Sequence, residues 1–341
     1  MVEEHTFSYP DTFSLESGGT LSGFQLHYTT YGTLNSERNN VVWVCHALTA
    51  NAQVLDWWAG LFGPDKLYDP KHYFVVCANM LGSCYGSTGP LSENPRTGQP
   101  FYHDFPLLTN RDIVRSFDQL RQHLGLSQIH TLIGGSMGGQ QALEWTIMCP
   151  DLVKNLVQIA SNAQHSPWGI AFNESQRMAI QYDTTWTEKS PTAGLNGMRT
   201  ARSIALLSYR HYRTYERTQQ ETVTDKMDHF RAASYQQYQG EKLARRFNAF
   251  TYWILSKAMD SHHVGRGRGS CEEALRTVQA HSLFIGVDTD VLFPPVEQEY
   301  LAQHVPGAQK TTISSNYGHD GFLIEVEALT QSIDRFYQRL T

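Results

Sequence analysis

The sequence contains little cysteine, no long apolar run and no block of like charge, and each of these absences excludes a class of protein. Five cysteines in 341 residues are an odd number at irregular spacings, which fits neither a disulfide framework nor a zinc-ligand pattern. No apolar segment reaches the roughly 18 residues that a membrane-spanning helix needs. With 27 basic and 33 acidic residues, the formal net charge of -6 gives no electrostatic footprint for nucleic acid or an anionic membrane.

The beginning of the chain and the cysteine usage favour a cytoplasmic enzyme that acts on small molecules. The segment from Met1 to His5 is acidic and polar, and it lacks the basic and apolar regions of a secretory signal. We therefore expect a reduced, cytoplasmic protein that holds no metal and no bound cofactor. We expect neither nucleic acid nor a membrane among its partners.

Short apolar runs alternate with helical patterns, which indicates an α/β fold with a mostly parallel central sheet and flanking helices. The runs are rich in β-branched and aromatic residues, and a helical pattern at 110–124 separates the second run from the third. Residues 165–275 carry helical spacing and almost no strand pattern. We predict that they form a helical lid inserted into a core of residues 1–164 and 276–341. The predicted strands are 40–45, 73–78, 129–133, 282–287 and 309–313, and a last helix is predicted near 325–340.

The stretch from Gly134 to Gly138 has the Gly-x-Ser-x-Gly pattern of a nucleophile elbow. Small residues allow the chain to turn sharply from a strand into a helix, which exposes the hydroxyl of the central serine. Strand-like residues precede the pattern, and helix-like residues follow it up to Pro150. We predict that Ser136 is the nucleophile of an α/β-hydrolase fold. The alternative is a glycine-rich turn that happens to contain a serine.

A serine nucleophile needs a histidine base, and that histidine needs a carboxylate to fix its tautomer. Among fifteen histidines, His319 is the candidate because it lies in a glycine-flanked loop after the last predicted strand. Asp288 and Asp290 both follow the strand that ends at Val287. Because the carboxyl ends of parallel strands share one edge of the sheet, both loops should open beside Ser136. Spacing alone leaves the two aspartates as alternatives.

Acyl transfer also needs two backbone N–H groups directed at the developing oxyanion. In this fold one of them comes from the residue after the nucleophile, here Met137, and the other from the loop after an early strand. The loop from Cys45 to Asn51 occupies that place. We predict Leu48 as its donor.

Several motifs occur together and in order along the chain. They are His-Ala-Leu-Thr at 46–49, Asn-Met-Leu-Gly-Ser-Cys-Tyr-Gly-Ser-Thr-Gly-Pro at 79–90, the elbow continuing to Glu-Trp at 144–145, Asp-Val-Leu-Phe-Pro at 290–294 and Tyr-Gly-His-Asp-Gly-Phe-Leu at 317–323. On these motifs the chain resembles the homoserine O-acetyltransferase family, α/β-hydrolase enzymes of methionine biosynthesis, along nearly its full length.

The resemblance implies roles for individual residues. The family's triad aspartate directly precedes a hydrophobic pair and Phe-Pro, which here is Asp290. The family also uses a lid-helix arginine for the homoserine carboxylate and the aspartate after the triad histidine for its amine, which match Arg202 and Asp320. A guanidinium and a carboxylate suit those two charges. Tyr209 lies seven residues after Arg202 on nearly the same helical face, so we expect both to overlook the pocket.

The function that the resemblance implies is transfer of acetyl from acetyl-CoA, a co-substrate, to the side-chain hydroxyl of L-homoserine. A ping-pong mechanism through acyl-Ser136 would carry it. The resemblance also implies a homodimer joined through the helical lid. The alternatives are a succinyl-CoA donor, an L-serine acceptor, a serine esterase or hydrolase of the same fold, and an inactive binding module.

Overall fold

The computed structural model describes residues 1–340, which form an α/β structure around an eight-stranded sheet. Within this range, no helix has the length and hydropathy that crossing a membrane requires. The strands are β1 (Val2–Ser14), β2 (Thr20–Tyr31), β3 (Val41–Cys45), β4 (Phe74–Ala78), β5 (Glu93–Asn94), β6 (Gln99–Pro100), β7 (Ile129–Gly135), β8 (Val153–Ile159), β9 (His281–Val287) and β10 (Gln309–Ile313). The helices are α1 (Val54–Trp57), α2 (Asn110–His123), α3 (Met137–Met148), α4 (Pro167–Gln181), α5 (Leu195–Tyr209), α6 (Tyr212–Gln219), α7 (Arg231–Ala244), α8 (Ala249–Asp260), α9 (Cys271–Arg276), α10 (Pro295–His304), α11 (Gly321–Ile324) and α12 (Val326–Gln338).

The strands of the main sheet follow the order β1-β2-β4-β3-β7-β8-β9-β10, and β5 and β6 form a separate two-stranded ribbon. From β4 to β10 in that order all neighbours are parallel, whereas β1 and β2 add an antiparallel hairpin at one edge. The predicted mostly parallel α/β-hydrolase sheet is confirmed. The five predicted strands correspond to β3, β4, β7, β9 and β10, whereas β1, β2, β5, β6 and β8 were not predicted.

Alternate residues of β3 enter two different cores, one on each face of the sheet. Trp43 packs edge-to-face on Trp145 of α3, with ring centroids 4.9 Å apart, whereas Val42 and Val44 face the core that contains Phe336 of α12. A strand that is buried on both faces must be apolar at every position, which explains the continuous apolar run of β3. Helices on both faces thus hold the carboxyl ends of the parallel strands in place.

Six helices, α4 to α9, lie between β8 and β9. This arrangement agrees with the helical character expected of the segment, but the lid boundaries at 165 and 275 stay a prediction. Helix α9 crosses the second boundary, and α8 buries Tyr252 and Leu255 in the same hydrophobic core as the sheet. Helix α5 matters most for the site, because it brings side chains over the carboxyl ends of the strands.

Candidate active site

Ser136 lies at the turn between β7 and α3 in a backbone conformation that non-glycine residues rarely adopt. Its φ and ψ are 57° and -128°. The adjacent glycines make the turn possible, because a Cβ on Gly134 would lie 2.3 Å from the carbonyl oxygen of Gly138. The Ser136 hydroxyl is therefore directed out of the turn, toward the loop that follows β10.

The structure brings the predicted nucleophile, base and carboxylate into one hydrogen-bonded chain. The Ser136 hydroxyl donates to Nε2 of His319 at 2.9 Å, and Nδ1 of His319 donates to Oδ2 of Asp290 at 2.7 Å. The other carboxylate oxygen accepts from the backbone N–H groups of Leu292 and Phe293 at 2.8 and 2.9 Å. Both oxygens of Asp290 are therefore engaged, and its orientation toward the imidazole is fixed.

Asp288, the alternative carboxylate, points away from His319. Its Oδ1 accepts from the backbone N–H of Ser315 at 2.9 Å, and its Oδ2 accepts from the hydroxyl of Ser314 at 2.8 Å. These bonds tie the loop after β9 to the loop after β10. The structure thus distinguishes two residues that spacing could not, since only Asp290 contacts the imidazole.

For both His319 and Asp320, burial shifts the pKa in one direction and neighbouring charges of opposite sign shift it in the other. Burial favours the neutral form of His319, but the charge and hydrogen bond of Asp290, together with Asp320, raise its pKa above the ordinary value. Burial raises the pKa of Asp320, while Arg210, Arg202 and His319 favour its charged form. An imidazolium that forms during proton transfer is therefore stabilised where it arises.

Two backbone N–H groups beside Ser136, those of Leu48 and Met137, have no acceptor among residues 1–340. One belongs to the loop after β3 and the other to the first residue of α3. These elements meet closely because residue 138 is glycine: a Cβ on Gly138 would lie 2.0 Å from the carbonyl oxygen of Cys45. The arrangement offers two donors to an anion at the serine, but their role as an oxyanion hole stays a prediction.

Helix α5 places the predicted substrate residues near the serine and histidine. Cζ of Arg202 lies 5.3 Å from the ring centroid of Tyr209, and that ring lies 5.7 Å from the ring of His319. Oδ2 of Asp320 is 2.9 Å from Nε of Arg210. Asp320 thus pairs with Arg210, whereas Arg202 forms no ion pair with any carboxylate in the part of the chain that the structure describes.

Arg210 is a functional candidate that no sequence pattern predicted. It directly follows Tyr209 and caps the end of α5. Its ion pair with Asp320 joins residues far apart in the chain, and no local pattern predicts such a pair. The sequence alone offers only the general rule that a buried carboxylate requires a nearby cation or hydrogen-bond donor.

Ser136 opens into a small cavity of about 70 Å³, which Leu48, Arg202, Tyr209 and His319 also line. A larger cavity of about 380 Å³ adjoins it and shares Arg202 and Asp320 with it. The outer cavity has a basic wall, formed by Arg202, Arg210, Lys242 and Arg246. Within residues 1–340, no group of three or more His, Cys, Asp or Glu side chains is placed to hold a metal ion.

Comparison with known proteins gives consistent results for sequence and structure. Residues 40–326 match the family described as the alpha/beta hydrolase fold. A homoserine O-acetyltransferase from Cyclobacterium marinum is 54% identical over 336 residues, which cover 98% of this chain and 95% of that protein.

Two solved structures superpose over nearly the whole chain. A homoserine O-acetyltransferase from Bacillus anthracis is 26% identical, with a TM-score of 0.89 over 98% of this chain and 97% of that one. Esterase E22 is 25% identical, with a TM-score of 0.89 over 98% of this chain and 100% of that one. The resemblance inferred from the motifs is confirmed, and the chain belongs to the homoserine O-acetyltransferase family of the α/β-hydrolase fold.

Proposed function

We propose that the protein transfers an acetyl group from acetyl-CoA to the side-chain hydroxyl of L-homoserine, through a covalent acyl-Ser136 intermediate. The observation that carries the proposal is the hydrogen-bonded chain from Ser136 through His319 to Asp290, beside a buried carboxylate and an arginine that forms no ion pair within residues 1–340. Family membership supports the same reaction. In this proposal, O-acetylhomoserine enters methionine biosynthesis and the enzyme acts in the cytoplasm.

In the first half-reaction, His319 accepts the hydroxyl proton while Ser136 Oγ attacks the thioester carbonyl carbon. The backbone N–H groups of Leu48 and Met137 stabilise the oxyanion of the tetrahedral intermediate. The intermediate collapses, the carbon–sulfur bond breaks, and His319 returns its proton to the departing CoA sulfur. Asp290 keeps the imidazole in the tautomer that can accept from Ser136 and stabilises the transient imidazolium.

In the second half-reaction, L-homoserine occupies the space that CoA has left. Its carboxylate binds Arg202, whose guanidinium can donate two parallel hydrogen bonds to it and is not occupied by another carboxylate of residues 1–340. Its ammonium binds the carboxyl group of Asp320, whose charged form Arg210 favours against the effect of burial. The side-chain hydroxyl then gives its proton to His319 and attacks the acyl-enzyme, and Ser136 leaves as the alcohol when the proton returns.

The two cavities suit a donor with a small acyl group and a large polyanionic remainder. The inner cavity of about 70 Å³ contains Ser136, whereas the basic wall belongs to the outer cavity of about 380 Å³. Acetyl-CoA would place its acetyl group in the first and direct its phosphates toward the second, where arginine and lysine bind phosphate oxygens. Succinyl-CoA is the less favoured donor, because its acyl group adds a methylene and a carboxylate.

A donor and acceptor panel tests the proposal directly. Purified enzyme is mixed with acetyl-CoA or succinyl-CoA and with L-homoserine or L-serine, and both free CoA and the O-acyl product are measured. The expected result is O-acetylhomoserine formed in equal amount to CoA, with parallel lines in double-reciprocal plots. Ser136→Ala should abolish the reaction while leaving the circular dichroism spectrum unchanged.

Two outcomes of the panel would contradict the proposal. CoA release that does not depend on an acceptor and yields no ester would identify a hydrolase, because water would then take the acyl group. Faster turnover with succinyl-CoA or L-serine would change the substrate and keep the chemistry. A difference of one methylene in the acceptor is worth roughly 1–3 kcal/mol, so the kinetic ratio should be clear.

The proposal includes a homodimer formed through the helices between β8 and β9. Tyr212 and Tyr238 are exposed there, at 71% and 56%, and Phe230 at 43%. Exposed aromatic residues on one side of a protein are typical of association surfaces. Light scattering after gel filtration should give twice the mass of 38.7 kDa, and a monomer would refute this part of the proposal.

A further inference from the structure

His46, the first residue after β3, is a buried histidine whose side chain forms no hydrogen bond with Ser136. Its side chain is completely inaccessible to solvent. Nδ1 lies 2.9 Å from the carbonyl oxygen of Ala47, and the backbone N–H of Met80 donates to Nε2 at 3.2 Å. The imidazole therefore joins the loop after β3 to the loop after β4.

These two partners require one specific protonation state. A carbonyl oxygen can only accept, so Nδ1 must carry the proton, and a backbone N–H can only donate, so Nε2 must be bare. The neutral Nδ1–H tautomer satisfies both partners, and burial lowers the pKa of His46 to about 4. The side chain thus acts as a fixed donor to Ala47 in neutral solution.

The orientation of one peptide group follows from this hydrogen bond. The carbonyl of Ala47 and the N–H of Leu48 belong to the same planar trans peptide and point in opposite directions. The carbonyl oxygen accepts from Nδ1 of His46 and also from the backbone N–H of Ala50 at 3.0 Å. A carbonyl held by two donors leaves the N–H of Leu48 directed to the other side, without an acceptor among residues 1–340.

We infer that His46 is a positioning residue for the reaction, which holds the Ala47–Leu48 peptide so that the Leu48 N–H is aligned before an oxyanion forms at Ser136. The inference rests on the proposed acyl transfer. Oxyanion stabilisation depends on donors that need no reorganisation during the reaction. A loop that could rotate this peptide would lose that donor, although every residue that contacts the substrate would still be present.

Two substitutions separate positioning from support of the fold. His46→Asn places an amide N–H near the position of Nδ1 and retains the donor to Ala47, but it leaves the Met80 N–H without its acceptor. His46→Gln reaches the position of Nε2 and can accept from Met80, but it has no donor for Ala47. A purely structural role predicts the lower melting temperature and the lower activity in the same variant.

The positioning role predicts a different split. His46→Gln should lose about 10²- to 10³-fold in kcat, which is the usual effect of losing one oxyanion donor, with KM values nearly unchanged. His46→Asn should retain activity within about tenfold even if its melting temperature falls, because the donor to Ala47 remains. Wild-type kcat in folded His46→Gln, or an equal loss in both variants, would overturn the inference.

The same comparison on p-nitrophenyl acetate keeps this test independent of the proposed substrates. Acylation of Ser136 by that ester requires the oxyanion donors but neither CoA nor L-homoserine. If the wild-type enzyme forms no O-acetylhomoserine and still cleaves the ester, the proposed substrates fail, and the kcat ratio of the two His46 variants still decides the role of the histidine.

Discussion

Replacing Asp290 by asparagine should inactivate the enzyme through the tautomer of His319 and leave the fold intact. One carboxylate oxygen accepts from the backbone N–H groups of Leu292 and Phe293, and the other accepts from Nδ1 of His319. Asparagine has one oxygen and one NH2 group. The two backbone donors fix the oxygen on their side, so the NH2 group must face the imidazole.

The NH2 group is a donor, so Nδ1 of His319 must become the acceptor and the proton must move to Nε2. A protonated Nε2 cannot accept the hydroxyl proton of Ser136, and the general base is lost. Where the same substitution has this effect in a Ser-His-Asp triad, kcat falls by about 10⁴-fold. That loss corresponds to about 5 kcal/mol of transition-state stabilisation.

Asp288→Asn is the matched control, because the same chemical change falls two positions earlier in the same loop. Its oxygen can still accept from Ser315, and its NH2 group can donate to the hydroxyl of Ser314, which now serves as acceptor. Initial rates of CoA release and melting curves should be measured for both variants. The reasoning is refuted if Asp290→Asn retains activity within about tenfold of wild type, or if the control loses as much.

Three further substitutions test other parts of the site. Asp320→Asn removes one of the two carboxylates that raise the pKa of His319. Because His319 must be neutral to act as the base, the acidic limb of the pH–rate profile with p-nitrophenyl acetate should move to lower pH. An unmoved limb would contradict the assignment. Arg202→Lys retains the charge but loses the planar fork, so KM for L-homoserine should rise about tenfold with little change in acylation by acetyl-CoA; equal loss in both half-reactions would exclude an acceptor-specific role. Gly138→Ala should lower both the melting temperature and fluorophosphonate labelling, because its Cβ would lie 2.0 Å from the carbonyl oxygen of Cys45; unchanged values would show that α3 does not need this close approach.

The parts of the fold that local patterns encode were predicted correctly. Strand β3 is apolar because both of its faces are buried, and the elbow glycines at the end of β7 are adjacent to the serine in sequence. Strand β8 was missed because Asn155 and Gln158 interrupt its apolar pattern. Both are buried: Asn155 donates to the carbonyl of His130 at 2.7 Å, and Gln158 donates to that of Asn162 at 3.2 Å. Polar residues can occupy a core strand when their side-chain N–H groups find acceptors outside it, and sequence alone does not show those acceptors.

The β1–β2 hairpin was missed for a different reason. Pro10 and Gly23 lie inside the two strands, and each normally argues against a strand interior. The structure accommodates them at an irregularity in the register between Tyr9 and Thr12. Gly23 has a φ of 81°, and a Cβ there would lie 2.8 Å from the carbonyl oxygen of Tyr9. The residues that break the pattern are those that the distorted edge requires.

In the site too, some residues could be predicted from their own loops, whereas others could be identified only from contacts in the folded chain. The serine and histidine could be proposed from their loops, but the choice of Asp290 over Asp288 required either the family resemblance or the observed hydrogen bond to His319. Arg210 could not be predicted, because its importance depends on Asp320 alone. A motif can identify groups that act on their neighbours in sequence, whereas an ion pair between remote segments needs the folded chain.

We expect the choice between hydrolysis and transfer in this fold to depend on the groups around the serine. Esterase E22 superposes on this chain with a TM-score of 0.89 at 25% identity, so the overall architecture is compatible with an esterase. An acyl-enzyme reacts with whatever hydroxyl is held nearest to its base, and water is always present at high concentration. L-Homoserine can compete only if binding raises its effective concentration at His319. The guanidinium of Arg202, which forms no ion pair within residues 1–340, and the carboxyl group of Asp320, whose charged form Arg210 favours, can supply that binding energy to an amino acid and offer much less to water.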